Sequence, residues 1–578
     1  MQSKMSHTRP FPPRVFTPAV IMAVVLTSCV NLLALIGPIF MIEVYDRVIP
    51  SKNMPTLVAL GVLAAFLYLF SGVLDVARGR IMARVAGVLD IDLASSVFRI
   101  IATMPRVAAV RPGATRPAAD LDQIRQFLSG SGLLSLFDLP WALLYLLVCF
   151  LIHPYIGIAA TSALLVLVML TAITHFATKR EARNLSSTLA ARGRLEEEVH
   201  RNVEAIASMG LFDRAYERWF DHHEAHAKSG RKINDLAGMA ASASKTFRYA
   251  VQSGVLALGA FLVVDGQLTG GMILASSVIV SRALAPVEQV IGQWKSLIGA
   301  MQAWRRLSEN SKLATVIEHK TNLAAPQLNL QVRNVAVVPP GAQKLAVKNA
   351  SFALEAGSIL GVIGPSGSGK SCLVRAIAGI WSPLRGEIRL DGAALDQWTD
   401  AARGSHIGYL PQTVELFEGT VAENISRFDK NANDDDILDA AHAAGAHDMI
   451  VHFEHGYETA VGEGGKNLSA GQRQRIALAR ALFKKPFLVV LDEPNSNLDV
   501  DGERALANAL LRVKDRNGIV VVVAHRSDIM NIVDHVLMLR NGDVAMYGKR
   551  DAIINRITEG PRALPATTLK VVDGDLGA

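Results

Sequence analysis

The first half of the chain alternates long apolar runs with charged stretches. Runs of about 20 residues, the length that crosses a bilayer as a helix, cover roughly residues 19–42, 54–75, 133–152, 155–175, 248–265 and 270–291. His153 and Pro154 separate the third run from the fourth, and DGQLTG (265–270) separates the fifth from the sixth, so each pair reads as a tight hairpin. The second and third runs, and the fourth and fifth, are joined by longer polar connections. RGRIMARVAGVLDIDLASSVFRII and TLAARGRLEEEVHRNVEAIASMGLFDRAYERWF keep helical periodicity with few breakers. The spans are therefore predicted to continue as helices beyond the membrane, reversing near RPGATRP (111–117) and near MGLFDRAYERW (209–219). After about residue 310 the pattern changes. ILGVIG (359–364), FLVVLDE (487–493), GIVVVVAH (518–525) and HVLMLRNGDV (535–544) read as strands between helical stretches, the pattern of an α/β domain.

Composition agrees with a membrane protein. Half of the 578 residues are hydrophobic, 19% are charged and the mean hydropathy is +0.28. The formal charge of +7 has two readings, a nucleic-acid partner or Lys and Arg held on one side of a membrane. The distribution favours the second. Segment 76–132 carries Arg78, Arg80, Arg84, Arg99, Arg106, Arg111, Arg116 and Arg125, segment 176–247 is also basic, and the tight hairpins carry no Lys or Arg. Both long connections and both termini are thus expected in the cytoplasm, and no nucleic acid is expected as a partner. No small-residue cleavage site follows the first apolar run, so it is expected to stay as a span. Cys29, Cys149 and Cys372 show no metal-ligand spacing. The expected division is a short cytoplasmic N-terminus (1–18), a six-helix transmembrane domain (19–310), a linker (311–327), a nucleotide-binding domain (328–557) and a flexible tail (558–578).

GPSGSGKS (364–371) fits G-x-x-x-x-G-K-[ST], following one predicted strand and preceding the apolar-periodic CLVRAIAGI. Gly364, Pro365, Ser366, Gly367, Ser368, Gly369, Lys370, Ser371 and Cys372 are the expected phosphate cradle. Its glycines let the backbone wrap the phosphates, Lys370 reaches the β- and γ-phosphates, and the Ser371 hydroxyl binds Mg2+. In LVVLDE, Asp492 emerges at the carboxyl end of a buried strand to bind Mg2+, and Glu493 is placed to deprotonate the attacking water. Gln412 in YLPQ and His525 after GIVVVVA are candidates for the same site, Gln412 sensing Mg2+ and water, His525 touching the γ-phosphate. A structural role in a loop competes for each, and their order along the chain favours the site. LSAGQ (Leu468, Ser469, Ala470, Gly471, Gln472) opens a further helix, whose free N–H groups suit a second phosphate contact.

Phosphate loop, YLPQ, LSAGQ, LVVLDEP and SNLD, in this order, resemble the ATP-binding cassette over about residues 328–555. With six preceding spans the chain resembles an ABC exporter half-transporter. The fold class implied is a multi-domain membrane protein, a six-helix transmembrane domain with long cytoplasmic extensions plus an α/β P-loop cassette. The resemblance implies a homodimer whose cassettes close head to tail on two ATP molecules. LSAGQ of one copy would then cap ATP held by the other, with Asp499 of SNLD at the same seam. Ala470 stands where the family usually has Gly. The family also usually presents an aromatic residue to adenine about 25 residues before the phosphate loop, and none occupies that place near Val338 or Pro339.

Within that family, PIFMIEVYDRVIPSKN (38–53), DLDQIRQFLSGSGLLSLFDLPW (120–141), NVEAIASMG (202–210) and GGMILASSVIVSRALAPVEQVIGQWK (270–295) resemble the type I protein secretion branch. That likeness implies ATP-driven export of unfolded polypeptide across the bacterial inner membrane, with a periplasmic adaptor, an outer-membrane channel and cargo bearing a C-terminal signal. Export of lipid, glycan or small peptide is the alternative within transport. A cassette ATPase without transport is opposed by the spans, and a channel with degenerate sites by Lys370, Glu493, Ser469 and His525. Arg282 has two readings: a residue lining the translocation path, or one at the water boundary of a span that ends early, as Pro286 and Glu288 suggest.

Overall fold

The computed structural model describes residues 16–103, 116–315, 323–524 and 527–558. They form two compact units, one ending at Thr315 and the other holding the α/β region.

Among the described residues of the first unit six helical segments are long and apolar enough to cross a membrane: Pro18–Ser51, Met54–Thr103, Ser131–Ile152, Pro154–Arg201, Phe212–Val264 and Gly270–Gly292. They coincide with the six apolar runs, and the chain is a multi-pass membrane protein. The second, fourth and fifth have 50, 48 and 53 residues, about 70 to 80 Å at 1.5 Å per residue, far beyond what a bilayer needs. The third is broken after Asp138, where Leu139 and Pro140 precede a new helix at Trp141. The first contains one π-helical turn, Val44–Val48, shortly before its end at Ser51.

The second reversal differs in place from expectation. The chain turns between Asn202 and Leu211, and Phe212–Trp219 already belong to the fifth span. Gly210 sits at φ +65° and the Leu211 N–H donates to the Ile206 carbonyl at 3.0 Å. That is the cap with which a glycine ends a helix, so the following aromatic residues are free to start the next one. The first expected reversal, near 111–117, falls largely outside the described residues.

Polar side chains tie the membrane unit together at two levels. Asp46, in the π-turn, accepts the Thr269 hydroxyl at 2.5 Å and the Gly271 N–H at 2.8 Å, capping the sixth span. A Cβ on residue 271 would lie 2.8 Å from the Asp46 carboxylate and displace it from this cap. His153 of the middle hairpin meets Gln267 at 2.9 Å. Deeper in, Arg78 and Asn31 converge on Asp138 at 3.0 and 2.7 Å.

The second unit carries a ten-stranded sheet in the order β5-β4-β1-β2-β10-β9-β3-β8-β7-β6. Its parallel half is β9 (His535–Arg540), β3 (Ile359–Ile363), β8 (Ile519–Val523), β7 (Leu488–Asp492) and β6 (Ile407–Leu410). β7 and β8 are buried along their whole length, as strands covered on both faces must be. The antiparallel half contains β1 (Asn329–Val337), β2 (Val347–Glu355), β4 (Arg385–Leu390) and β5 (Ala393–Ala394). The run 535–544 is not one strand: Asn541 and Gly542, at φ +52° and +84°, turn β9 back into β10 (Asp543–Lys549). Asn-Gly is the favoured pair for such a two-residue hairpin.

Candidate nucleotide site

β3, β8 and β7 lie side by side and in parallel, so their carboxyl ends open on one crevice. Residues 364–369 form the loop leaving β3, and the helix Lys370–Ile377 starts from it with Gly369 as its cap. Three loop glycines are needed by the backbone. Gly364, Gly367 and Gly369 have φ of +145°, +77° and +99°, and a Cβ on Gly364 would lie 2.2 Å from the Leu539 carbonyl. Lys370 is buried, and its ammonium donates to the Gly364 and Pro365 carbonyls at 2.8 and 3.0 Å. Burial lowers its pKa, against the opposing pull of Glu493 and Asp492.

At the end of β7, Asp492 is fully buried and accepts the Ser371 hydroxyl at 3.0 Å. Burial raises its carboxyl above the ordinary range, opposed by Ser371, then Arg375. Among the described residues its other oxygen, Oδ2, is buried without a hydrogen-bond partner, as is the Ser368 hydroxyl in the loop. Unpaired buried acceptors are costly. A hydrogen-bonded Ser–Asp pair with a spare carboxylate oxygen, beside a cradle of N–H groups, fits a divalent cation and a polyphosphate. Glu493 follows at φ +53°, a strained conformation for a residue with a side chain, held by the buried strand behind it. Its carboxylate accepts the Gln412 side-chain amide at 2.9 Å, and Gln412 follows β6, the strand next to β7. Phosphate loop, Asp492, Glu493 and Gln412 are thus brought together. His525 follows β8 but lies outside the described residues.

LSAGQ is built as a helix start. Ser469 caps the helix Ala470–Leu482 by accepting the Gln472 N–H at 3.3 Å, and Gln472 returns the bond to the Ser469 N–H at 2.8 Å. Leu468 is buried beneath while Ser469 and Ala470 are exposed. Ala470 has ordinary helical geometry, for which alanine is well suited. Gly471 passes the Asn497 carbonyl, which would lie 3.0 Å from an added Cβ. Among the described residues no hydrogen bond joins this helix start to the phosphate loop of the same chain. Asp499 caps the next helix through the Gly502 N–H at 2.8 Å and pairs with Arg475 at 2.5 Å. Both contacts, the Gly502 amide first, hold its carboxyl below the usual range.

Arg282 lies within the sixth span, which continues ten residues beyond it to Gly292. It borders a cavity of about 490 Å³ lined by Arg248, Gln252, Ser281, Glu288 and Gln289. Arg248 of the fifth span pairs with Glu288 at 2.7 Å and donates to Ser281 at 3.1 Å. Sequence reading missed this pair, since nothing local couples positions on two different spans.

Six spans followed, in the same polypeptide, by a P-loop cassette with this crevice define an ABC exporter half. The ABC transporter transmembrane region matches residues 20–287 and the ABC transporter domain matches residues 347–496. A type I secretion system ATP-binding protein of Rhizobium meliloti (strain 1021), PrsD, is 45% identical over 548 residues, 95% of this chain and 94% of that protein. An alpha-hemolysin translocation ATP-binding protein of Escherichia coli is 28% identical over 94% of this chain and 76% of its own length. A leukotoxin export ATP-binding protein of Aggregatibacter actinomycetemcomitans is 26% identical over 93% and 78%. The chain belongs to the ABC transporter family, in its type I secretion branch. The structure of a bacterial Atm1-family ABC exporter with ATP bound shares the fold, with a TM-score of 0.80 at 22% identity over 94% of this chain and 97% of that one. The chain is an ATP-binding, transport-coupled ATPase.

Proposed function

We propose that this protein is the motor and permease of a type I secretion system, driving unfolded polypeptide across the bacterial inner membrane with its cassette in the cytoplasm. Similarity over 95% of the chain to a type I secretion ATP-binding protein carries this reading. Two copies close on two nucleotides, and a periplasmic adaptor and an outer-membrane channel continue the path for cargo with a C-terminal signal. We assign transport to residues 19–310 and ATP to residues 328–557, as the sequence suggests.

In each site Gly364–Cys372 hold the phosphates through backbone N–H groups, and Lys370 leaves its loop carbonyls for the γ-phosphate. Ser371 and Asp492 would hold Mg2+, which when bound would supply positive charge beside the phosphate oxygens. Glu493 takes the proton of the attacking water, and Gln412, bonded to it, fixes its direction. His525 contacts the γ-phosphate. Ser469, Gly471 and the helix start behind them complete the site of the opposite copy, and Asp499 connects the two. Arg282 lines the cargo path. It begins about 18 Å along the sixth span, counting from Gly270, where an exposed guanidinium needs water or protein and not lipid.

The test compares proteins in the culture medium of a deletion strain. Wild-type chain should restore a missing secreted polypeptide, and Glu493→Gln should bind ATP yet fail to restore it. An unchanged set of secreted proteins on deletion would remove the reading.

A further inference from the structure

The helix that leaves the phosphate loop, Lys370–Ile377, carries a second polar anchor one turn beyond the first. Ser371 and Arg375 are four residues apart and so share one face of it. Ser371 donates to Asp492 at the end of β7. Arg375 reaches the neighbouring strand, β6, where its guanidinium donates to the Tyr409 hydroxyl. Burial pushes the Tyr409 phenol up, and this bond is the first to oppose it. Tyr409 pairs in register with Val490 of β7, and Val490 and Asp492 point to the same face of that strand. Tyr409 and Trp381 pack there against one core with Leu373, Val374 and Ile377 of the helix. After burial and the Ser371 hydroxyl, the Arg375 charge acts most strongly on the Asp492 carboxyl, ahead of Glu493 and Lys370. The guanidinium is also backed. The Arg375 carbonyl accepts the Ile380 and Trp381 N–H groups at 2.9 and 3.4 Å, with Gly379 turning the chain at φ +70°. This turn lays the Trp381 ring against the guanidinium, whose carbon is 5.0 Å from the ring centroid.

These anchors differ in what a nucleotide does to them. Lys370 donates to its own loop carbonyls and Ser371 to Asp492, and in the site proposed above both turn to phosphate and Mg2+. Arg375, a turn further along, is not called on in this way. Of these three contacts, only the one to Tyr409 is left to hold helix and strand in register while nucleotide is bound. Tyr409 stands three residues before Gln412. Leu410 pairs with Leu491, and the same register two residues on sets Gln412 against Glu493, which it reaches at 2.9 Å. We infer that Arg375 is a positioning residue for hydrolysis: through Tyr409 it clamps β6 to the phosphate-loop helix, so that Gln412 keeps Glu493 aimed in the loaded site. This rests on the roles given above to Gln412 and Glu493. Arginine suits the position, since a planar guanidinium can stack on Trp381 and still present an N–H edge to Tyr409, which an ammonium cannot.

Turnover and ATP affinity of the full-length chain in lipid nanodiscs test it, the second by displacement of a fluorescent ATP analogue. Arg375→Met should lower kcat about tenfold, the lower end of what a hydrogen bond to a charged group carries, and Tyr409→Phe about threefold or more. ATP affinity should stay within about twofold in both. The double variant should be no more than about twofold slower than Arg375→Met, because both changes break one contact. On a Gln412→Ala chain, which has already lost the group being positioned, adding Arg375→Met should slow turnover less than about twofold. Full turnover in Arg375→Met or in Tyr409→Phe overturns the inference. So does ATP affinity falling in step with turnover, which a loosened phosphate loop would give. A tenfold loss that persists on the Gln412→Ala background overturns the route through Gln412. Tyr409→Phe keeps the buried ring and decides the matter should Arg375→Met fail to fold. Wild-type turnover in Gln412→Ala itself strikes the role given to Gln412 above, and this inference with it.

Discussion

Ser469 offers a direct test of whether each nucleotide site is shared between two chains. Ser469→Ala removes the cap of the helix Ala470–Leu482, an effect of about 1 kcal/mol on stability. That is small beside the buried strands of the cassette, so the variant should fold. If Ser469 also donates to a phosphate, its loss removes a hydrogen bond to a charged group, about 1.5–3 kcal/mol, or about 10- to 150-fold in rate. Differently tagged chains allow two kinds of mixed dimer. In the first, Lys370→Ala sits on one chain and Ser469→Ala on the other. With sites shared across the dimer, both lesions fall in one site and the second stays whole, so ATPase near half of wild type is expected. In the other dimer one chain carries both substitutions beside a wild-type chain, and each site then has one lesion. Activity should fall at least tenfold. The reverse ranking would refute the shared site, because it is what two self-contained pockets would give.

Other outcomes follow from single contacts. Gly369→Ala places a Cβ 2.3 Å from the Ala346 carbonyl at φ +99°; ATP affinity measured by calorimetry should drop more than tenfold with the helix content unchanged. Asp492→Asn keeps the Ser371 contact but loses the charge of the proposed metal ligand, so the Mg2+ concentration for half-maximal ATPase should rise at least tenfold, and an unshifted titration would count against that role. Glu288→Gln leaves Arg248 without its ion-pair partner at a site about one-fifth exposed. The loss should be about 2 kcal/mol, reduced from the fully buried case, and Arg248→Met with Glu288→Leu should recover at least half of it in thermal unfolding. A double variant no more stable than Glu288→Gln would show that the pair is not the cause.

The chemistry of the phosphate loop was legible because it is local. Eight consecutive residues carry the glycines, lysine and hydroxyl, and a run of four apolar residues ahead of Asp492 announces a buried strand. Gln412 was harder to read, as its value lies in β6 pairing with β7, which brings it to Glu493 across 81 positions. The second reversal is expected over the broad stretch 209–219, whereas the breaker is Gly210, one glycine with positive φ. Asn541-Gly542 was a readable hairpin signal inside what looked like one strand. The Arg248–Glu288 pair and the Asp46 cap had no local sign, since each depends on which faces of two distant helices meet.

Asp46 also sets an order of events at the ribosome. Its hydroxyl partner is 223 positions further along the chain. At about 5–20 residues per second, that partner emerges roughly 11 to 45 seconds later. Until then the carboxylate lacks both the Thr269 hydroxyl and the Gly271 N–H. The opening hairpin of the nascent chain therefore waits, incomplete, for the final span to arrive, and a truncation before Thr269 should leave it a substrate for membrane proteases.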